Sequence, residues 1–206
     1  LIDNQHEKAI TYTRMPNTKN EDIVKIAEKL ADLIDMPTNR VTNRDKQDFW
    51  VLKNRAVAME KVSAEEMETF RLSKDNVSKE EVNAEHYRRV LQRITEEELA
   101  QLSERDIEVL AIYREMIADY YLTPQIIKNE LVTDEEFARV SEQLSELPGV
   151  NTITDWKRIR HVPLAILGRT TTPSKGLPKS KLNYYLAREY ARNDRVGESY
   201  FEAQYE

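Results

Sequence analysis

No serine in this 206-residue chain stands three residues before a lysine. Acyl transfer of the Ser-x-x-Lys type needs that spacing, because the amine must reach the hydroxyl one helical turn away, and it needs Ser-x-Asn and Lys-Thr-Gly as well. Neither tripeptide occurs. Thr172-Pro173-Ser174-Lys175 has the spacing with threonine, but its internal proline reads as an exposed linker. There is no Gly-x-Ser-x-Gly elbow, and four glycines cannot build a Gly-x-Gly-x-x-Gly phosphate loop. His6, His86 and His161 are isolated, without His-Glu-x-x-His or related spacing, so no metal centre and no cofactor are expected. Paired acids are plentiful: Glu65-Glu66, Glu80-Glu81, Glu96-Glu97-Glu98 and Asp134-Glu135-Glu136. Glycoside hydrolysis would need two carboxylates facing each other across a cleft. Each of these clusters instead falls in the first turn of an expected helix, where acids favour the positive end of the dipole.

What remains as a candidate site is a corner near the carboxy terminus, Asp194-Arg195-Val196-Gly197, followed by Ser199-x-x-Glu202. Asp194, Arg195, Gly197 and Glu202 are the structural or interdomain candidates; none is expected to be catalytic. The functional reading is a hinge that fixes this region to a neighbouring domain. The plainer reading is a local ion pair at a helix start, with Gly197 supplying a φ that other residues avoid. The plainer one is favoured, and the two merge if the segment's role is structural.

The elements that must hold this corner can be read from periodicity and caps. Glu7 to Arg14 alternates and is rich in β-branched and aromatic residues, which predicts a strand. Asn20 is an N-cap candidate ahead of Ile23, Ile26, Ala27, Leu30, Leu33 and Ile34 on one helical face, a helix that Met36-Pro37 ends. Thr42 precedes a helical segment with Phe49 and Trp50. Ser63, Ser78, Thr95 and Thr133 each stand three residues before a glutamate, the capping-box spacing, and Ser103 caps a longer helix. Thr123-Pro124 reads as an N-cap with proline at the first helical position. Val150 to Val162 predicts one or two strands, and Pro163 to Gly168 a buried strand or turn. Lys179 to Arg192 predicts a helix, and Ser199-x-x-Glu202 the start of another. Of the helical pairs Tyr120-Tyr121 and Tyr184-Tyr185, one member of each faces the core and the other solvent or a partner. The expected fold is α+β: a small antiparallel or mixed sheet from distant strands, with a long inserted helical subdomain and an elongated, pedestal-like form. Residues 1–19 and 148–206 would form the strand-containing part and 20–147 the insertion.

Composition narrows the function classes. The 31 basic and 37 acidic residues give a net charge of −6, which argues against a nucleic-acid partner. Cysteine is absent, so disulfides, thiolate metal sites and cysteine nucleophiles are excluded. No apolar run approaches the ~20 residues of a membrane-spanning helix, so any anchor is expected outside this chain.

The run Asn193-Asp194-Arg195-Val196-Gly197-Glu198-Ser199-Tyr200-Phe201-Glu202, preceded by Gly176-Leu177-Pro178, resembles the segment that leads into the transpeptidase domain of class B penicillin-binding proteins. Ala9 to Arg14 resembles the strand after that family's first motif. Leu147-Pro148-Gly149-Val150 and the Pro163 to Gly168 run resemble its passage between pedestal strands, although no tyrosine precedes Pro163 and Leu167-Gly168-Arg169 replaces the usual continuation. Tyr120-Tyr121-Leu122 and Val132-Thr133-x-x-Glu136-Phe137-Ala138 look like the elongation-type branch of Gram-positive bacteria. The resemblance implies a non-catalytic dimerisation or pedestal region of a parent that crosslinks peptidoglycan on the outer face of the cytoplasmic membrane. The partners it implies are the parent's own transpeptidase domain, the membrane glycan polymerase and elongation-complex proteins, and a second copy of itself. The alternative is a soluble helical protein–protein interaction module unrelated to the cell wall, which would carry little sheet.

Overall fold

The computed structural model describes residues 2–73, 77–118, 121–160, 168–171, 175–192 and 194–204. Its organising element is the strand β1 (Ile2–Thr13), the centre of a three-stranded antiparallel sheet of order β2-β1-β3. β3 (Val150–Arg160) pairs with it from Ile2↔Arg160 to Tyr12↔Val150. β2 (Pro124–Lys128) pairs on the other side, from Thr13↔Pro124 to Ile10↔Lys128, with a register irregularity between Ile10 and Thr11. Ala9, Ile10, Thr11 and Tyr12 are all buried, so both faces of the strand are covered and the polar alternation of a half-exposed strand is lost here. The α+β class and the sheet built from distant strands are as expected.

By contacts the chain divides into two compact units, Leu1–Asp35 with Ile112–Glu206, and Met36–Ala111. In the first, α1 (Asn20–Leu30) buries Ile23, Val24, Ile26, Ala27 and Leu30. Asn20 is the first helical residue rather than the cap: Lys19 occupies the cap position without a side-chain bond, and the Asn20 carboxamide oxygen accepts from Arg14 at 3.0 Å. The helix gives way to a turn after Leu30, earlier than Met36-Pro37 suggests. α1, β2 and α8 (Asp134–Glu142) belong to this unit although they lie within the stretch 20–147.

Thr123-Pro124 does not begin a helix. Pro124 opens β2, where the missing N–H is tolerated because it is the first residue of an edge strand, and Ile126-Ile127 favours the extended form. Leu122 N–H donates to the Arg14 carbonyl at 2.9 Å, which continues the pairing with β1 past the proline.

The second unit contains α2 (Asn43–Lys53), α3 (Arg55–Glu60), α4 (Ala64–Leu72), α5 (Lys79–Gln92) and α6 (Glu96–Leu99); α7 (Glu104–Ile117) runs across its second boundary. Trp50, Ala58, Val62, Met67, Val90, Leu91, Ile94 and Leu99 form its core. The boxes at Ser63, Ser78 and Thr95 each make both reciprocal bonds, and so does Thr42 with Asp45. The acidic clusters of α4, α5 and α6 therefore do cap and dipole work. Across the surface the Arg93 guanidinium meets Glu66 at 2.5 Å and holds that carboxyl down to about 2.

Near the carboxy terminus the expected helix over Lys179 to Arg192 is shorter. A 3₁₀ turn (Lys179–Lys181) leads into α9 (Leu182–Leu186), and Glu189 takes a left-handed φ of 67° just beyond it. α10 (Tyr200–Gln204) follows. The predicted segment Pro163 to Leu167 lies outside the described residues, as does Tyr120.

Candidate functional site

The corner at Asp194–Gly197 is assembled from two short extended segments and the helix that follows. Residues 168–171 run antiparallel to 194–199 through the bridge Thr170↔Gly197. Thr171 N–H donates to the Val196 carbonyl at 2.8 Å, and Val196 N–H donates to the Thr171 hydroxyl at 3.0 Å. Glu198 N–H reaches the Arg169 carbonyl at 2.7 Å, while Arg169 N–H donates to the Ser199 hydroxyl at 3.0 Å. Val196 is fully buried with Leu177 and Tyr185, and Leu182, Leu186 and Tyr190 pack around them. The Gly-Leu-Pro turn is tied in by Leu177 N–H, which donates to the Arg192 carbonyl at 2.8 Å. The sequence folds this way because Val196 is the one large apolar residue between Asp194 and Glu198, and a two-segment ladder buries it while satisfying its backbone.

Gly197 is needed for space, not for φ. It does not take a positive φ. A Cβ built there would sit 1.7 Å from the Glu202 carbonyl oxygen and 2.6 Å from the Ala203 nitrogen, so the middle of α10 closes directly onto the glycine. Gly168 does combine both demands, with φ +79° and a Cβ position 1.7 Å from the Ser199 carbonyl oxygen.

Asp194 and Arg195 turn to different partners. The Asp194 carboxylate accepts from Ala191 N–H at 2.7 Å, closing the turn that precedes the corner. The Arg195 guanidinium approaches the Glu7 carboxylate of β1 at 3.7 Å, with both side chains mostly buried. Glu202 is buried at the heart of α10. The four candidates thus share one assembly, in which a carboxylate closes a turn, a guanidinium reaches the central strand, and a glycine admits a helix.

Sequence reasoning missed Glu7, Thr171, Gly168 and the use of Ser199. Glu7 lies at the opposite end of the chain, and no local pattern announces such a pairing. Ser199 has the capping-box spacing with Glu202, yet its hydroxyl accepts from Arg169 N–H. Also missed was a buried pair elsewhere in this unit. Lys128 Nζ meets Glu136 at 2.7 Å and donates to the Asp35 carbonyl at 2.7 Å, and the same Glu136 accepts from Asp35 N–H at 2.8 Å and Thr133 N–H at 2.8 Å. Burial works to raise the Glu136 carboxyl, but the bonds from Lys128, Thr133 and Asp35 outweigh it and hold it below its ordinary value.

Residues 73–206 match the family model of the penicillin-binding protein dimerisation domain. The chain is 42% identical over 212 residues to penicillin-binding protein 2A of Bacillus subtilis, covering all of this chain and 28% of that protein. It is 32% identical over 238 residues to penicillin-binding protein H of the same species, covering all of this chain and 32% of the relative. The chain therefore spans about a third or less of the curated relatives it matches. Penicillin-binding protein 2B of Streptococcus pneumoniae strain R6 has the same fold over the whole chain, with TM-score 0.70 and 24% identity, and covers 31% of that structure; strain 5204 gives 0.64 and 23%, with the same coverage. Because the matched stretch takes in most of the chain, corner included, and the sheet and helices recur in those structures, this chain belongs to the penicillin-binding protein dimerisation-domain family of the class B type.

Proposed function

We propose that the chain is the non-catalytic pedestal of a membrane-anchored peptidoglycan D,D-transpeptidase, holding the catalytic domain in position and docking cell-wall elongation partners on the outer face of the cytoplasmic membrane. The observation that carries this reading is the closure at Gly197. α10 seats on the glycine, and Arg195 of the same corner reaches Glu7 on the central strand. A domain continuing from α10 would be held in a fixed relation to the sheet, which is what a support requires and what a flexible linker would not give. Asp194, Arg195, Gly197 and Glu202 are on this reading the residues that transmit the support. The membrane anchor and the catalytic serine belong to the parent; among the described residues no helix is long and apolar enough to cross a membrane.

The rival reading, a free helical interaction module, accounts less well for paired strands of 12 and 11 residues. The purified chain incubated with fluorescent penicillin should remain unlabelled after denaturing electrophoresis. A covalent adduct would overturn the non-catalytic assignment.

A further inference from the structure

Across the described surface, cations commonly meet carboxylates, as in Lys8 with Asp134, Lys29 with Glu146, Lys53 with Asp106 and Lys175 with Glu198. The segment 179–192 departs from that rule. It carries Lys179, Lys181, Arg188 and Arg192 against the single acid Glu189, and none of these four cations has a carboxylate partner among the described residues. In a chain of net charge −6 this is a local excess of positive charge.

The excess borders a groove of about 490 Å³ between the start of α9 and the end of α10, lined by Lys179, Lys181, Asn183, Tyr184 and Gln204 among others, with no carboxylate in the lining among the described residues. Tyr184 is half exposed at its wall. Its ring is held by the Arg188 guanidinium 3.6 Å from the ring centre and by an edge-to-face contact with Tyr185 at 5.2 Å. An exposed aromatic ring fixed before binding loses little freedom on contact, which is the property of an interface anchor. Tyr200 and Phe201, at the head of α10, add further exposed aromatic surface, and Tyr200 is held in the left-handed region at φ 52°.

We propose that this groove docks an acidic segment of a partner protein, one whose carboxylates flank an aromatic or aliphatic side chain. The carboxylates would meet Lys179 and Lys181, the apolar side chain would lie on Tyr184, and the amides of Asn183 and Gln204 would bond the segment's backbone. Charge complementarity selects an anion, and the concave, amide-bearing wall selects a peptide. A membrane surface engages clusters of roughly 4–8 basic residues on an open face, whereas two lysines line this groove. Exposed ion pairs are individually weak, so Tyr184 must supply the anchor and the lysines the selectivity. The proposal rests on the partner-docking part of the function proposed above and names the surface that performs it.

The test uses the full chain and a fluorescein-labelled peptide Asp-Glu-Trp-Leu-Glu-Asp, followed by fluorescence anisotropy, with the Lys-for-acid counterpart as control. The wild-type chain should bind the acidic peptide and not the basic one. K179E/K181E and Tyr184→Ala should each weaken binding by about tenfold or more, with unchanged thermal melts; K179Q/K181Q serves if the double reversal fails to fold. Equal binding by all variants, no binding by the wild type, or binding to phosphatidylglycerol-rich vesicles in place of the peptide would overturn the proposal. Failure here, with the parent still labelled by penicillin, removes the groove and leaves the pedestal reading standing; an unlabelled parent whose chain binds the peptide does the reverse.

Discussion

A single methyl group at Gly197 would have to share space with the Glu202 carbonyl oxygen, 1.7 Å from where the Cβ would sit. That oxygen is backbone, so relief requires α10 to move rather than a side chain to rotate. Gly197→Ala is therefore expected to destabilise the chain by about 1–3 kcal/mol, the usual cost of overpacking. At about 2–4 °C per kcal/mol for a chain of this size, thermal unfolding would show the loss; an unchanged melting temperature would contradict the close approach. The sequence singles out this glycine, but φ is the wrong reason. The need for space arises from Glu202, five residues later, and depends on how the intervening turn closes. Arg195 is likewise visible as a charge at a corner, while its partner Glu7 is not, because that contact exists only once β1 and the carboxy-terminal ladder lie side by side.

The elements show the opposite balance. Helix starts were legible because a capping box is written within four residues, and the boxes at Ser63, Ser78, Thr95 and Thr133 all form. β2 was illegible because Thr-Pro is as good a helix start as a strand start, and pairing with a strand more than a hundred residues away decides between them. The box at Thr133 also does more than cap α8. Its Glu136 joins α8 to Lys128 of β2 and to the backbone of Asp35 beyond α1. Glu136→Gln leaves the Lys128 charge buried without its counter-ion and should cost about 3 kcal/mol at neutral pH. The Glu136 carboxyl is held below its ordinary value of 4.5 in the folded chain. Its contribution is therefore complete above that value and is lost as pH falls through the lower, folded value. Melting curves of the two proteins from pH 7 downward should converge in acid below about 4.5; a gap that stayed constant, or widened, would show that the carboxylate is not what stabilises the junction.

At the scale of the whole molecule, the fold class and the family were readable because the carboxy-terminal run, the first strand and the Leu-Pro-Gly-Val turn each keep a recognisable local sequence. The organisation into two units was less readable. α1, β2 and α8 join the sheet's unit by packing, and the helical periodicity that groups them with the other helices carries no information about which core they enter. The groove beside α9 is a whole-molecule feature as well, since its two walls are brought together by the corner between them. The claim to test first is that this chain supports a penicillin-binding enzyme. An antiserum raised against the chain should recognise, in bacterial membranes, a protein about three to four times its length, as the coverage of the curated relatives implies, and fluorescent penicillin should label that protein covalently. A recognised protein that takes no label, or that is recovered in the cytosol, would contradict the account.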